Sequence, residues 1–113
     1  MLPGMPTPSA AVVRSWSARA TPPGAEAYVS HFRQTVLPAL RRLPGHRGAM
    51  VLRRARAGEV EITVLTLWTS IAAVREFAGA DESVAVVEPE ARAVLTAFDA
   101  RAEHFDLALH AEP

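Results

Sequence analysis

Three features of the sequence predict an α+β protein. Strand-like and helix-like segments follow one another as β-α-β-β-α-β, which is the split pattern of a ferredoxin-like fold. Two segments carry apolar residues at helical spacing, and the central pair of strands is apolar on both faces. The expected architecture is a four-stranded antiparallel sheet with helices on one face. With 113 residues, half of them hydrophobic and 21% charged, the chain has room for one domain that buries about two thirds of its unfolded surface.

The elements follow in order. Residues 1–10, MLPGMPTPSA, carry prolines and no charge, and read as a flexible tail ahead of a single domain over residues 11–110; Met5 is an alternative start. They lack the basic and apolar regions of a signal peptide. The next segment alternates, with Val12, Arg14, Trp16 and Ala18 on one face and Val13, Ser15, Ser17 and Arg19 on the other, so it reads as the first strand. Thr21 offers a cap and Pro22 suits a first helical position. Tyr28, Phe32, Val36 and Leu40 then form an i+4 stripe, which predicts a helix ending near Arg42, its last turn kinked or loosened by Pro38.

Pro44-Gly45 breaks that helix. Arg47–Ala55 and Glu59–Thr69 read as a hairpin around Arg56-Ala57-Gly58. Ser70 caps a second helix with Ile71, Val74, Phe77 and Ala78 on one face, and Gly79 stops it. Asp81–Val87 is ambiguous. Pro89 opens a short helical stretch with Ala91, Val94, Leu95 and Phe98 apolar, and Ala102–Leu109 reads as the last strand. In the hairpin, Ala49 and Val51 face away from Met50 and Leu52, and Leu65 and Leu67 oppose Ile62, Val64 and Trp68. Helices cover one face only, so a twofold-related copy of the sheet is the economical cover for the other, which predicts a homodimer.

Composition excludes much chemistry. Twelve Lys plus Arg balance twelve Asp plus Glu, so no broad footprint for nucleic acid or anionic lipid is expected. No apolar run reaches bilayer length, and a cytoplasmic location is expected. The sequence has no Cys, Lys or Asn, which removes thiolate nucleophiles, cysteine-bound metals, Schiff-base catalysis and the P-loop. The basic set is all Arg and Ala is abundant, as in GC-rich codon usage. The histidines show no metal-binding spacing, and no glycine-rich dinucleotide fingerprint is present. No metal and no cofactor are expected.

Histidine is the side chain suited to acid–base work near neutrality. His104 ranks first, because Asp106 shares its strand face and a carboxylate there would orient the imidazole and raise its pKa. His31, three residues from Tyr28 on the first helix, ranks second; His46 in a turn and His110 near the terminus carry no role. Arg14 shares the face of Trp16, where its guanidinium either pairs with a carboxylate such as Asp106 or serves an enolate. Trp16 and Trp68 offer flat stacking walls for an aromatic ring. Arg53, Arg54 and Arg56 read as a solvated strand edge.

Taken together, LPGHRGAMVLRR at Leu43–Arg54, TLWTSIAAVREFAG at Thr66–Gly79 and AEHFDL at Ala102–Leu107 resemble the antibiotic biosynthesis monooxygenase family over roughly Val12–Leu109. The middle motif is the most specific, setting a Trp at the end of strand three just before a Ser-capped helix that ends Phe-Ala-Gly. The resemblance implies a dimeric α+β barrel with a pocket in each subunit between helices and sheet. Some relatives oxygenate polycyclic phenols without a cofactor, some degrade haem, and many have no assigned activity. Trp68 matches a Trp shared by both active branches. The Asn on strand one and the His on the second helix of the haem-degrading branch are absent, which disfavours haem chemistry. The Asn and Tyr that accompany the Trp in cofactor-free oxygenases also lack counterparts.

The expected function is a small cofactor-independent monooxygenase acting on an aromatic or polyketide-like substrate in secondary metabolism. His104 and His31 serve as bases in that expectation and Arg14 as oxyanion anchor. Trp68, Trp16, Asp106, Tyr28 and Phe32 bind substrate. The alternatives are a non-redox cyclase, isomerase or decarboxylase, and a noncatalytic ligand-binding module.

Overall fold

The computed structural model describes residues 9–113. All but the last two positions of the expected tail, and the alternative start at Met5, lie outside the described residues. Strand β1 (Val12–Ala20) is followed by helix α1 (Pro22–His31), a π-helical turn (Phe32–Val36) and helix α2 (Leu37–Leu40). Strands β2 (His46–Arg56) and β3 (Glu59–Trp68) form the hairpin, and helix α3 (Ile71–Ala78) follows. A short helix α4 (Pro89–Arg92) and strands β4 (Ala97–Phe98) and β5 (Glu103–Asp106) complete the fold. The antiparallel sheet runs β2-β3-β1-β4, with β5 also pairing β1. The fold class is the expected one.

Local chemistry accounts for the boundaries. Thr21 caps α1 by accepting from the Gly24 amide at 3.1 Å, and Ser70 caps α3 by accepting from Ala73 at 3.1 Å, each satisfying an amide that the helix leaves free. Ala57 and Gly58 both have positive φ, 52° and 81°, as a two-residue type I′ turn requires. Only the glycine was expected to do so.

The loosening expected at Pro38 takes the form of a wider π turn just before it, in which the Leu37 amide bonds to the Phe32 carbonyl. A proline crowds the carbonyl four residues before it and donates no amide hydrogen, and a π turn accommodates both defects. The helix then ends at Leu40, two residues early.

The carboxy-terminal third departs further. The stretch expected to be helical as far as Phe98 stops at Arg92, because the Thr96 amide bonds to the Arg19 carbonyl at 2.8 Å and draws the chain onto β1. The last strand covers only Glu103–Asp106. Between β4 and β5 the chain leaves β1 and bonds instead to the ambiguous segment 81–87, through Ala85 to Ala100 at 3.0 Å and Ala102 to Ser83 at 2.8 Å. That segment is therefore a strap fastened to the sheet edge, and the place beside β1 is shared by two short strands, β4 in the stretch expected to be helical and β5 within the expected fourth strand.

Burial alternates strictly along β1 and along β3 from Glu61 onward. Trp68, Leu40, Ile62 and Val74 are fully buried under the helices, each worth roughly 1.5–3 kcal/mol of transfer free energy. On the far face Val13, Leu65 and Leu67 are half-buried, while Met50, Leu52 and Phe105 stand about half exposed, at 49%, 48% and 53%.

Candidate active site

The helix-covered face of the sheet floors a cavity. Arg14 and Trp16 of β1 and Val64 and Thr66 of β3 form the floor; Tyr28, His31 and Phe32 form the α1 side; Phe77 closes one end, and Val86, Val87 and Glu88 of the strap close another. The cavity measures about 60 Å³, room for a few waters and less than the roughly 150 Å³ that takes a benzene ring. Its lining is mainly apolar with a few convergent polar groups, the usual make-up of a small-molecule site.

Arg14 is the centre of the polar set. It is only 4% exposed. Its Nη1 donates to the Glu82 carbonyl and its Nη2 to the Val84 carbonyl at 2.8 Å, so a guanidinium on the sheet holds the strap by its backbone. Its Cζ lies 5.6 Å from the centre of the Phe77 ring, within cation–π range. Burial lowers its pKa and the charge of Glu82 opposes that shift; a guanidinium stays charged regardless. Asp106, expected as its partner, is exposed and pairs in register with Val12. Backbone carbonyls do the work a carboxylate was expected to do.

His104 lies beside Arg14 in the β1–β5 register, with its Nε2 3.0 Å from Arg14 Nη1. A guanidinium only donates, so Nε2 accepts and the ring is neutral with its proton on Nδ1. Burial, then the charge of Arg14, lowers its pKa against the pull of Glu82, opposite in sign to the shift expected from Asp106. His104 therefore backs Arg14, away from the residues that line the cavity.

His31 does line it, and its Nε2 is buried without a hydrogen-bond partner. Tyr28 packs beside it, ring centres 6.5 Å apart, and burial followed by the charge of Glu88 pushes the Tyr28 phenol well up. Phe32 packs on Tyr28 at 6.4 Å. These side chains recur at three and four residues along one helix face, which is why one element delivers all three.

The tryptophans exchange roles. Trp16 lines the cavity; it donates through Nε1 to the Asp99 carbonyl at 2.7 Å and packs against Tyr28 at 6.1 Å. Trp68, expected as the substrate wall, is wholly buried behind it. Its ring stacks on Phe77 at 5.7 Å and meets the edge of His46 at 5.4 Å, and its Nε1 donates to Thr66 Oγ1 at 2.8 Å. It thus positions two lining residues while touching no cavity space. Burial, then the charges of Arg47 and Arg41, lowers the pKa of His46.

Thr66, Phe77 and Glu88 were not singled out from the sequence. Thr66 had a signal: it is the polar member of the buried series Ile62, Val64, Thr66, Trp68. Glu88 had none, since the strap shows no periodicity. Among the described residues no group of three or more His, Cys, Asp or Glu is placed to hold a metal ion.

Known structures share this fold. A Bacillus cereus protein bearing the antibiotic biosynthesis monooxygenase name matches with a TM-score of 0.65 and 16% identity, over 92% of this chain and 99% of that one. The Streptomyces coelicolor monooxygenase from the gene ActVA-Orf6, solved with nanaomycin D, matches with a TM-score of 0.61 and 16% identity, over 92% and 93%. SnoaB of Streptomyces nogalater, a cofactor-independent oxygenase, matches with a TM-score of 0.53 and 19% identity, over 91% and 97%. No curated protein matches in sequence. At such identities these likenesses establish the fold. The sequence supplies the kinship itself, since the family model covers residues 11–89, from the first strand through the strap: the chain belongs to the antibiotic biosynthesis monooxygenase family.

Proposed function

We propose that the protein is a cytoplasmic, cofactor-independent monooxygenase of an aromatic, polyketide-like phenol, working as a homodimer. The observation that carries this reading is the His31 ring on the wall of a mainly apolar cavity that Arg14 also lines, with the His31 Nε2 buried and without a hydrogen-bond partner. His31 takes the proton of a phenol or enol, and Arg14 binds the oxyanion that forms. The low-polarity walls, with Trp16 against the ring, exclude water while the electron-rich anion reacts with dioxygen. In the net reaction a ring CH₂ becomes C=O, one oxygen atom entering the product and the other leaving as water. His104 supports Arg14 and is not the base in this scheme.

The cavity as it stands is smaller than one aromatic ring, so an aromatic substrate enters with the strap displaced at Val86–Glu88. The homodimer is supported by the apolar far face, where Met50, Leu52 and Phe105 stand exposed in the single chain; an obligate interface would cover them.

The test is oxygen consumption by purified protein, checked to be free of metal and flavin, with an anthrone. Turnover that stops under anaerobic conditions and falls about 10²-fold or more in His31→Gln supports the reading. Turnover that persists without oxygen assigns the site to non-redox acid–base chemistry. Tight binding with no product assigns it to ligand binding alone.

A further inference from the structure

The floor of the cavity carries more hydrogen-bond donors than acceptors. Thr66 is only 5% exposed and stands directly opposite Arg14 in the β1–β3 register. Its Oγ1 accepts from the indole Nε1 of Trp68 at 2.8 Å. A threonine hydroxyl has one proton and two lone pairs, and an indole nitrogen only donates. The indole therefore occupies a lone pair of Thr66 and cannot receive its proton. The guanidinium across the strand is likewise donor-only. Of its five N–H groups, three are engaged by the carbonyls of Glu82 and Val84 and by His104, which leaves two. No described side chain or carbonyl accepts the Thr66 proton.

We propose that Thr66 is a specificity-determining residue, donating its hydroxyl proton to the ring oxygen of the substrate beside Arg14, so that the site selects a phenol it can hold as the phenolate. This rests on the reading of the cavity as a phenol site. Trp68 is the positioning residue: by occupying one lone pair of Thr66 it fixes the oxygen while leaving the hydroxyl proton unused and available to donate. A donor pair on the sheet floor then favours an anionic oxygen, which accepts both bonds strongly, over a neutral ether oxygen, a weaker acceptor, and over a hydrocarbon ring, which has no acceptor at all. Hydrogen bonds to the charged form of a ligand lower that ligand's pKa.

The experiment uses 4-nitrophenol, a single-ring probe whose ionised form has its own visible absorption and which requires no oxygen chemistry. Its titration is followed with and without excess full-length protein. The wild type is expected to shift the apparent pKa of the bound probe downward by about one unit or more, a tenfold preference for phenolate. Thr66→Val should lose most of that preference, and Thr66→Ser should restore it. Because Thr66→Val strands the Trp68 indole, the comparison is repeated between Trp68→Phe and the double variant Trp68→Phe/Thr66→Val, where no donor is left unpaired; the hydroxyl should again favour phenolate. Equal probe pKa values with and without the Thr66 hydroxyl, in either background, overturn the assignment while leaving the cavity as a phenol site. A wild-type protein that binds no nitrophenol overturns both.

Discussion

Arg14 combines three duties: it floors the cavity, holds the strap and fixes His104. Replacing it by Met leaves two backbone carbonyls without their donor, and such losses typically cost about 1–3 kcal/mol each. The expected result is a loss of about 2–4 kcal/mol in urea unfolding. Arg14→Lys should recover little of it, since an ammonium lacks the planar fork that reaches both carbonyls. His104 adds a pH dependence of definite sign. Its folded pKa is lowered, as is that of His46, so between the folded and unfolded values the unfolded chain binds more protons. Stability is therefore full above about 6.5, the unfolded histidine value, and falls as the pH drops through the lowered folded value. Urea midpoints between pH 7.5 and 5 should show the decline. His104→Gln, which keeps an acceptor for Arg14 but does not titrate, should flatten it; an unchanged slope would remove His104 from the account. Alternation alone made the inward face of Arg14 and Trp16 readable. The partners of Arg14 were not, because carbonyls of a distant strap leave no trace in residue type.

At the scale of elements, the regular pieces were legible and the irregular ones were not. Caps at Thr21 and Ser70, the hairpin turn and the alternation of β1 and β3 follow from local chemistry that the sequence displays. The π turn before Pro38, the strap and the split outer strand depend on hydrogen bonds between distant segments, such as Thr96 to Arg19, which local propensity does not encode. The join between the β2 approach and α3 offers a further test. A Cβ on Gly45 would lie 2.2 Å from that of Ala73, so Gly45→Ala should push α3, and with it Phe77, off the sheet. A loss of about 1–3 kcal/mol is expected, measured by thermal or urea unfolding. Adding Ala73→Gly should recover part of the loss, less about 1 kcal/mol for a glycine within a helix. Strictly additive losses in that cycle would show that the two residues do not press on each other.

For the whole molecule, the uncovered sheet face is the basis of the dimer proposal. The proposed dimer should scatter light at twice 12.2 kDa at micromolar concentration, and Leu65→Glu or Leu67→Glu on the far face should give monomer or unfolded chain. A wild type that stays folded and monomeric would leave Met50, Leu52 and Phe105 facing water and would end the dimer proposal. The sequence made this face visible through the both-sided apolar pattern of the hairpin. The departure of the chain from β1 between β4 and β5, where it turns aside to fasten the strap, has a consequence for solubility as well. An unbroken outer strand presents a row of free amides and carbonyls on which another molecule can zip up, the first step toward fibrils. Here that border is cut into pieces of two and four residues, and at the opposite border β2 presents Arg53, Arg54 and Arg56 as exposed charges. One border is thus too short, and the other too charged at its Arg53–Arg56 end, to template a foreign strand along its whole length, which disfavours edge-to-edge growth and leaves the far face for the face-to-face pairing proposed above.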